Sequence, residues 1–166
     1  MSVSMEPDSP VGERLTAWWK RMEEDRGLRA EVRRCATVQE VLLLPAFARF
    51  RHELVPLMAG EPKWEARMAA VFGLLAHVKA QASAALPEQM AEMLGGAPRL
   101  SELRFRRLLQ TEREQLFGAL LRVLRLLKGQ ARIHDLANAA YFWGDRTKRE
   151  WAYSYFPRVP DKRAHP

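Results

Sequence analysis

The chain contains one cysteine, Cys35, so no internal disulfide can form and no second thiol exists for a zinc site. A buried, inert thiol is expected. Long hydrophobic runs are also missing: the longest aliphatic stretch, Val41 to Leu44, is far too short to span a bilayer. The opening residues, MSVSMEPDSPVGER, lack the apolar segment of a secretory leader, and a cytoplasmic location with no membrane partner is expected. Catalytic signatures are equally scarce. There is no His-Glu-x-x-His, no phosphate-binding Gly-Lys loop, no Gly-x-Ser-x-Gly and no carboxylate pair in an apolar setting. The four histidines are His52, His77, His134 and His165. His134-Asp135 is the dipeptide that some all-helical hydrolases use to bind metal, which needs further His and Asp ligands from other helices. His52, His77 and Asp145 are the available candidates, and their spacing does not support a site. No catalytic residue, metal or cofactor is expected.

Acidic charge is in short supply. Lys and Arg number 27 against 20 Asp and Glu over 166 residues, a net +7. A surplus of this size points to a polyanionic partner, nucleic acid or an acidic surface. With 48% hydrophobic and 28% charged residues, the composition is that of a folded globular protein.

The periodicity is helical nearly throughout. Leu15, Trp18, Trp19 and Met22 follow the i, i+3, i+4, i+7 rule, and Gly27 ends or bends that helix. Helices are also expected over Leu28–Cys35, Ala46–Leu54, 64–80 and Leu86–Leu94. The helix at 64–80 carries the apolar stripe Trp64, Met68, Val71, Phe72, Leu75 and Val78. Gly95, Gly96 and Pro98 break the chain. Ser101 is an N-cap for a helix to about Gln110. Thr111 and Glu114 match a capping box for the next helix, with Leu116, Leu120, Val123, Leu124 and Leu127 on one face and Gly129 as its stop. Ile133 to Tyr141 forms another helix, and Asp145 or Thr147 caps a last one bearing Trp151 and Tyr155. The expected fold is all-α, a compact bundle of about eight helices in two halves. Its divisions are a flexible tail (1–12), an N-terminal half (13–97), a basic C-terminal half (98–157) and a second tail (158–166).

The charge is concentrated. Between Arg99 and Arg132 there are nine basic residues and three acidic, a surplus of six in one fifth of the chain. On the helix after Thr111, a step of 100° per residue puts Arg122, Arg125 and Lys128 opposite the apolar face; Arg113 projects toward the core side, but it lies in the first turn, where its long side chain can escape around the helix end. Arginine suits phosphate because its planar fork bonds two oxygens at once. This segment supplies Arg99, Arg104, Arg107, Arg113, Arg122, Arg125 and Lys128 as candidate nucleic-acid-binding residues. Arg26, Arg29, Arg33 and Arg34 make a second basic group, and Arg146, Lys148 and Arg149 a third. The competing reading is a solvated outer face of packed helices. Trp18, Trp19, Trp64, Trp143 and Trp151 have the chemistry to stack on bases, but their helical spacing favours the core, least clearly for Trp143.

From Leu15 to Phe156 the order of features resembles the CasB family, the small subunit of the type I-E CRISPR Cascade complex. The resemblance rests on Ala17-Trp18-Trp19, Gly27-Leu28-Arg29-Ala30, Val32-Arg33-Arg34, Pro45-Ala46-Phe47, Ala70-Val71-Phe72, Arg99-Leu100-Ser101-Glu102, the Arg-rich stretch Arg104–Leu109, Leu121-Arg122, Trp143-Gly144 and Arg146–Trp151. It implies an all-α, non-enzymatic subunit of an antiviral assembly, present in two copies beside backbone and large subunits, with CRISPR RNA and target and non-target DNA as partners. It implies that a basic face holds the displaced non-target strand. By position, the family's basic residues fall on Arg34, Lys63, Arg113 and Arg122, and Arg104 and Arg107 lie where the family is also basic. Phe105-Arg106 departs from the family's more apolar spacing. Two other functions remain open from the residues alone: a helical adaptor whose basic face meets an acidic protein, and a metal-dependent hydrolase built on His134-Asp135.

Overall fold

The computed structural model describes residues 3–163; the outermost residues of both expected tails, with His165, lie outside that range. Among the described residues ten α-helices follow one another: α1 (Pro10–Glu24), α2 (Arg26–Arg33), α3 (Val38–Leu42), α4 (Pro45–Leu54), α5 (Trp64–Leu75), α6 (Leu86–Ala91), α7 (Glu102–Leu109), α8 (Arg113–Leu126), α9 (Ile133–Tyr141) and α10 (Asp145–Tyr155). A two-residue hairpin, β1 (Met93–Leu94) and β2 (Ala97–Pro98), lies between α6 and α7. The all-α expectation holds.

Local chemistry sets the boundaries. Ser9 caps α1 by accepting from the Gly12 amide, and Pro10 supplies the preset first turn. Helix α1 therefore starts inside the segment expected as a flexible tail, and Met5 is buried there. A Cβ at Gly12 would overlap the Glu6 carbonyl, so glycine permits the close approach of that segment to the helix. Asp25 ends α1 and caps α2 through the Leu28 amide, and Ser101 caps α7 through the Arg104 amide. The Thr111 capping box does not form. The Thr111 hydroxyl donates back to the Arg107 carbonyl, and α8 starts after Glu112 with no side-chain cap. Thr147 likewise bonds to the Phe142 carbonyl, not to an amide at the start of α10. Gly95 and Gly96 both take positive φ, as a two-residue hairpin turn requires, so the Gly-Gly-Ala-Pro break is a turn between β1 and β2.

The apolar surface of α5 extends around the helix, as expected of a helix surrounded by others. It packs on α3 and α9 and also touches α2, α4 and α8. Phe72 of α5 joins Trp18, Phe47 and Phe50 in one aromatic cluster. Phe105 of α7 stacks on Tyr155 of α10 with ring centroids 3.8 Å apart, and the Tyr155 hydroxyl donates to the Leu100 carbonyl. The expected division into halves falls at the hairpin, yet α5 meets α9 and α6 meets α10 across it.

A candidate nucleic-acid interface

The arginines sort into two groups by what surrounds them. The first group closes helix ends. The last carbonyls of a helix have no intrahelical partner, and a cation there also meets the negative end of the helix dipole. Arg29 donates to the Ala76 and Val78 carbonyls just past α5, the latter shared with the Trp19 indole. Arg99 donates to the Leu126 carbonyl at the end of α8. Arg113 donates to three carbonyls around the end of α9: Ala140 at 3.0 Å, Tyr141 at 3.0 Å and Trp143 at 3.2 Å. Burial, and next the charge of Arg67, pulls the Arg113 guanidinium below its ordinary pKa. Two of the expected nucleic-acid-binding residues, Arg99 and Arg113, thus have their guanidinium groups engaged in holding α8 and α9.

The second group is exposed. Helices α7 and α8 diverge from the turn at 110–112, leaving a cavity of about 650 Å³ between them. Arg104 and Arg107 stand one turn apart on α7, and Arg122 and Arg125 one turn apart on α8; all four line this cavity. A second depression of about 360 Å³ adjoins it through Arg122 and Arg125, and adds Arg33, Arg34, Cys35 and His77. A third, reached through Arg122 and Thr111, includes Glu114. Arg33, Arg34, Arg104, Arg107, Arg122 and Arg125 are all exposed, and none forms an ion pair among the described residues.

His77 lies against this groove beside Arg33 and Arg125. Its Nε2 is buried without a partner, and its pKa is lowered to about 4, first by burial and then by Arg33, Arg125 and Arg29. A neutral imidazole enclosed by guanidinium groups marks a region of positive potential that an anion would relieve.

Five of the nine expected residues, Arg34, Arg104, Arg107, Arg122 and Arg125, therefore share one groove. Lys63 does not. It precedes α5, whose other end leads to His77, and twelve helical residues separate those ends by about 18 Å. Lys128 is exposed in the turn after α8 and is outside the groove lining. Arg33 belongs to the groove but was only one member of the second basic cluster in the sequence. In the sequence His77 is only a possible metal ligand within the expected helix 64–80, and nothing in its spacing ties it to the basic residues.

Trp18, Trp19, Trp143 and Trp151 are buried and Trp64 partly so. The Trp143 indole donates to the Thr111 carbonyl, which turns the ring inward. His134 Nε2 faces the Thr16 hydroxyl and the Gly12 carbonyl. Among the described residues no group of three or more His, Cys, Asp or Glu is placed to hold a metal ion, and no helix is long and apolar enough to cross a membrane.

Fold and site together define an all-helical protein with an open, arginine-lined groove fixed by arginine-capped helices. The chain belongs to the family of CRISPR-associated protein Cse2, whose profile matches residues 28–156, in agreement with the resemblance read from the sequence. No curated protein sequence matches it. Among solved structures, a chain of E. coli Cascade bound to a PAM-containing double-stranded DNA target superposes with a TM-score of 0.65 at 20% identity, covering 87% of this chain and 93% of that one. CasB from Thermus thermophilus superposes with a TM-score of 0.58 at 22% identity, covering 88% and 97%. At these identities the likeness establishes a shared fold.

Proposed function

We propose that this chain is the small, non-catalytic subunit of a CRISPR Cascade complex, and that its groove binds the sugar–phosphate backbone of the displaced non-target DNA strand. The observation that carries the reading is the cluster of six exposed arginines around α2, α7 and α8 with no carboxylate among the described residues paired to any of them. Phosphate chains supply the counter-charge such a surface lacks, and they do so without sequence preference. Membership of the Cse2 family and the fold shared with a chain of DNA-bound E. coli Cascade support the same role.

The energetics suit it. Exchanging a DNA duplex for an RNA–DNA hybrid is nearly balanced, so a few backbone contacts to the expelled strand decide whether the open state persists. Base pairing with the guide supplies specificity, and this subunit needs only charge held in a fixed shape. The partners of this role are CRISPR RNA, target and non-target DNA, the backbone and large subunits, and a second copy of the chain. Arg33, Arg34 and the pairs on α7 and α8 are the proposed contacts, whereas Arg99 and Arg113 support the helices that present them.

The test is a reconstituted complex carrying Arg122→Glu and Arg125→Glu, assayed for target binding and for exposure of the displaced strand. Assembly should persist, while the open state is weakened about tenfold or more, corresponding to roughly 1.4 kcal/mol. Unchanged target binding by a fully assembled variant complex would refute the proposal. Retention of an acidic protein partner by the purified chain, with no affinity for nucleic acid, would favour the adaptor function.

A further inference from the structure

The cavity between α7 and α8 has a feature that charge binding does not require. Its floor is largely aliphatic: Leu100, Leu108, Ala119, Val123 and Leu126 reach its surface, Thr111 joins them with its hydroxyl already donated to the Arg107 carbonyl, and the four arginines stand around them. Phosphates need only the rim. An apolar floor of this kind would have to be covered by something with a flat, hydrophobic face that arrives attached to an anion. Its volume of about 650 Å³ lies within the range of small-molecule sites, about 300–1,000 Å³.

We propose that this cavity seats an unstacked nucleobase of a single strand, its face against the aliphatic floor and its flanking phosphates on Arg104, Arg107, Arg122 and Arg125. This deepens the backbone-binding role above and rests on it. Charge complementarity commits the occupant: among the described residues no acidic side chain lines the cavity, and none forms an ion pair with the four rim arginines. Guanidinium planes also stack on base faces, so the same side chains can serve base and phosphate. A duplex keeps its bases stacked inside and cannot present one to the floor, so the cavity discriminates single from double strands. Because an aliphatic floor offers no hydrogen-bonding pattern, it tolerates any base. The arginine caps matter here too: Arg99 holds the end of α8 and Arg113 its first turn, which keeps that wall of the cavity in place.

The experiment is a fluorescence-anisotropy titration of the full chain with oligothymidylate, with an abasic strand of equal length, and with the corresponding duplex. The base-bearing strand should bind about tenfold more tightly than the abasic one, the scale of one stacked base. Filling the floor with Ala119→Leu should reduce that ratio toward one, while affinity for the abasic strand is retained. The wild-type comparison needs no variant, so a folding defect in Ala119→Leu leaves the first readout intact. Equal binding of base-bearing and abasic strands by the wild-type chain would overturn the base seat and leave the phosphate groove standing. Binding of neither strand would overturn both, as would displacement of both strands by polyglutamate at equal charge concentration.

Discussion

Replacing Arg113 by methionine keeps most of the apolar stem and deletes the guanidinium. In the structure that group makes three hydrogen bonds to carbonyls of Ala140, Tyr141 and Trp143, at and just past the end of α9. A typical hydrogen bond contributes about 0.5–1.5 kcal/mol net and one to a charged group about 1.5–3. Arg113 is only half-buried, so water can reach some of the freed carbonyls, and about 1 kcal/mol per bond is the appropriate scale. The expected loss is about 3 kcal/mol. For a chain of this length each kcal/mol moves Tm by about 2–4 °C, so Arg113→Met should melt about 6–12 °C lower. Arg122→Met is the control: the Arg122 side chain is exposed and has no ion pair among the described residues, and stability should change by no more than about 0.5 kcal/mol. Thermal and urea unfolding of both variants, alongside titration with single-stranded DNA, separates the two roles. If Arg113→Met kept the wild-type Tm and lost nucleic-acid binding, the division of the arginines into clamps and contacts would be wrong.

His77 gives a pH signature. Its folded pKa is about 4 against an ordinary 6.5, so between those values the unfolded chain takes up a proton that the folded chain refuses. Stability then rises with pH across that window, and the loss begins as pH falls below 6.5. In urea titrations the wild type should lose stability relative to His77→Leu as pH falls from 6.5 to 4, and parallel curves would contradict this. Gly12→Ala gains helix propensity of about 1 kcal/mol but forces a Cβ into the Glu6 carbonyl, so a net loss of about 1–3 kcal/mol is expected from denaturant midpoints; an unchanged midpoint would refute that packing. Trp143→Phe removes the bond to the Thr111 carbonyl and should cost about 1–2 kcal/mol without altering affinity for single strands, because the indole is buried. Weakened binding at full stability would instead place that ring at the nucleic acid.

Much of the helical layout was legible because it follows from spacing. The stripe on 64–80 matches α5 at its start, and Leu15, Trp18, Trp19 and Met22 are all buried in α1. Helix α3 was missed, since five residues show barely more than one turn of periodicity between Thr37 and the Pro45 break. Thr111 matched a cap pattern but found the nearer Arg107 carbonyl, a competition that sequence spacing does not decide. The site was legible as a region and not as a list of contacts. Arg122 and Arg125 lay opposite an apolar stripe, whereas Arg113, expected to escape around the helix end as a contact, turns inward onto carbonyls. What sequence cannot supply is where other helices end. The α9 carbonyls that engage Arg113 lie 27 to 30 residues further along the chain, and the Leu126 carbonyl that engages Arg99 lies 27 residues on. Arg33 and Arg34 join α8 only through tertiary packing, which also gathers His77 into the groove.

The most direct measurement of the groove's role is the salt dependence of single-strand affinity for the wild type and for Arg122→Gln/Arg125→Gln. Each phosphate neutralised on a single strand contributes about 0.7 to the slope of log affinity against log salt. Six engaged arginines give a slope near −4, and removing two should flatten it by about 1.4 while the fold is retained. An identical slope and affinity in the double variant would show that these arginines do not meet phosphate.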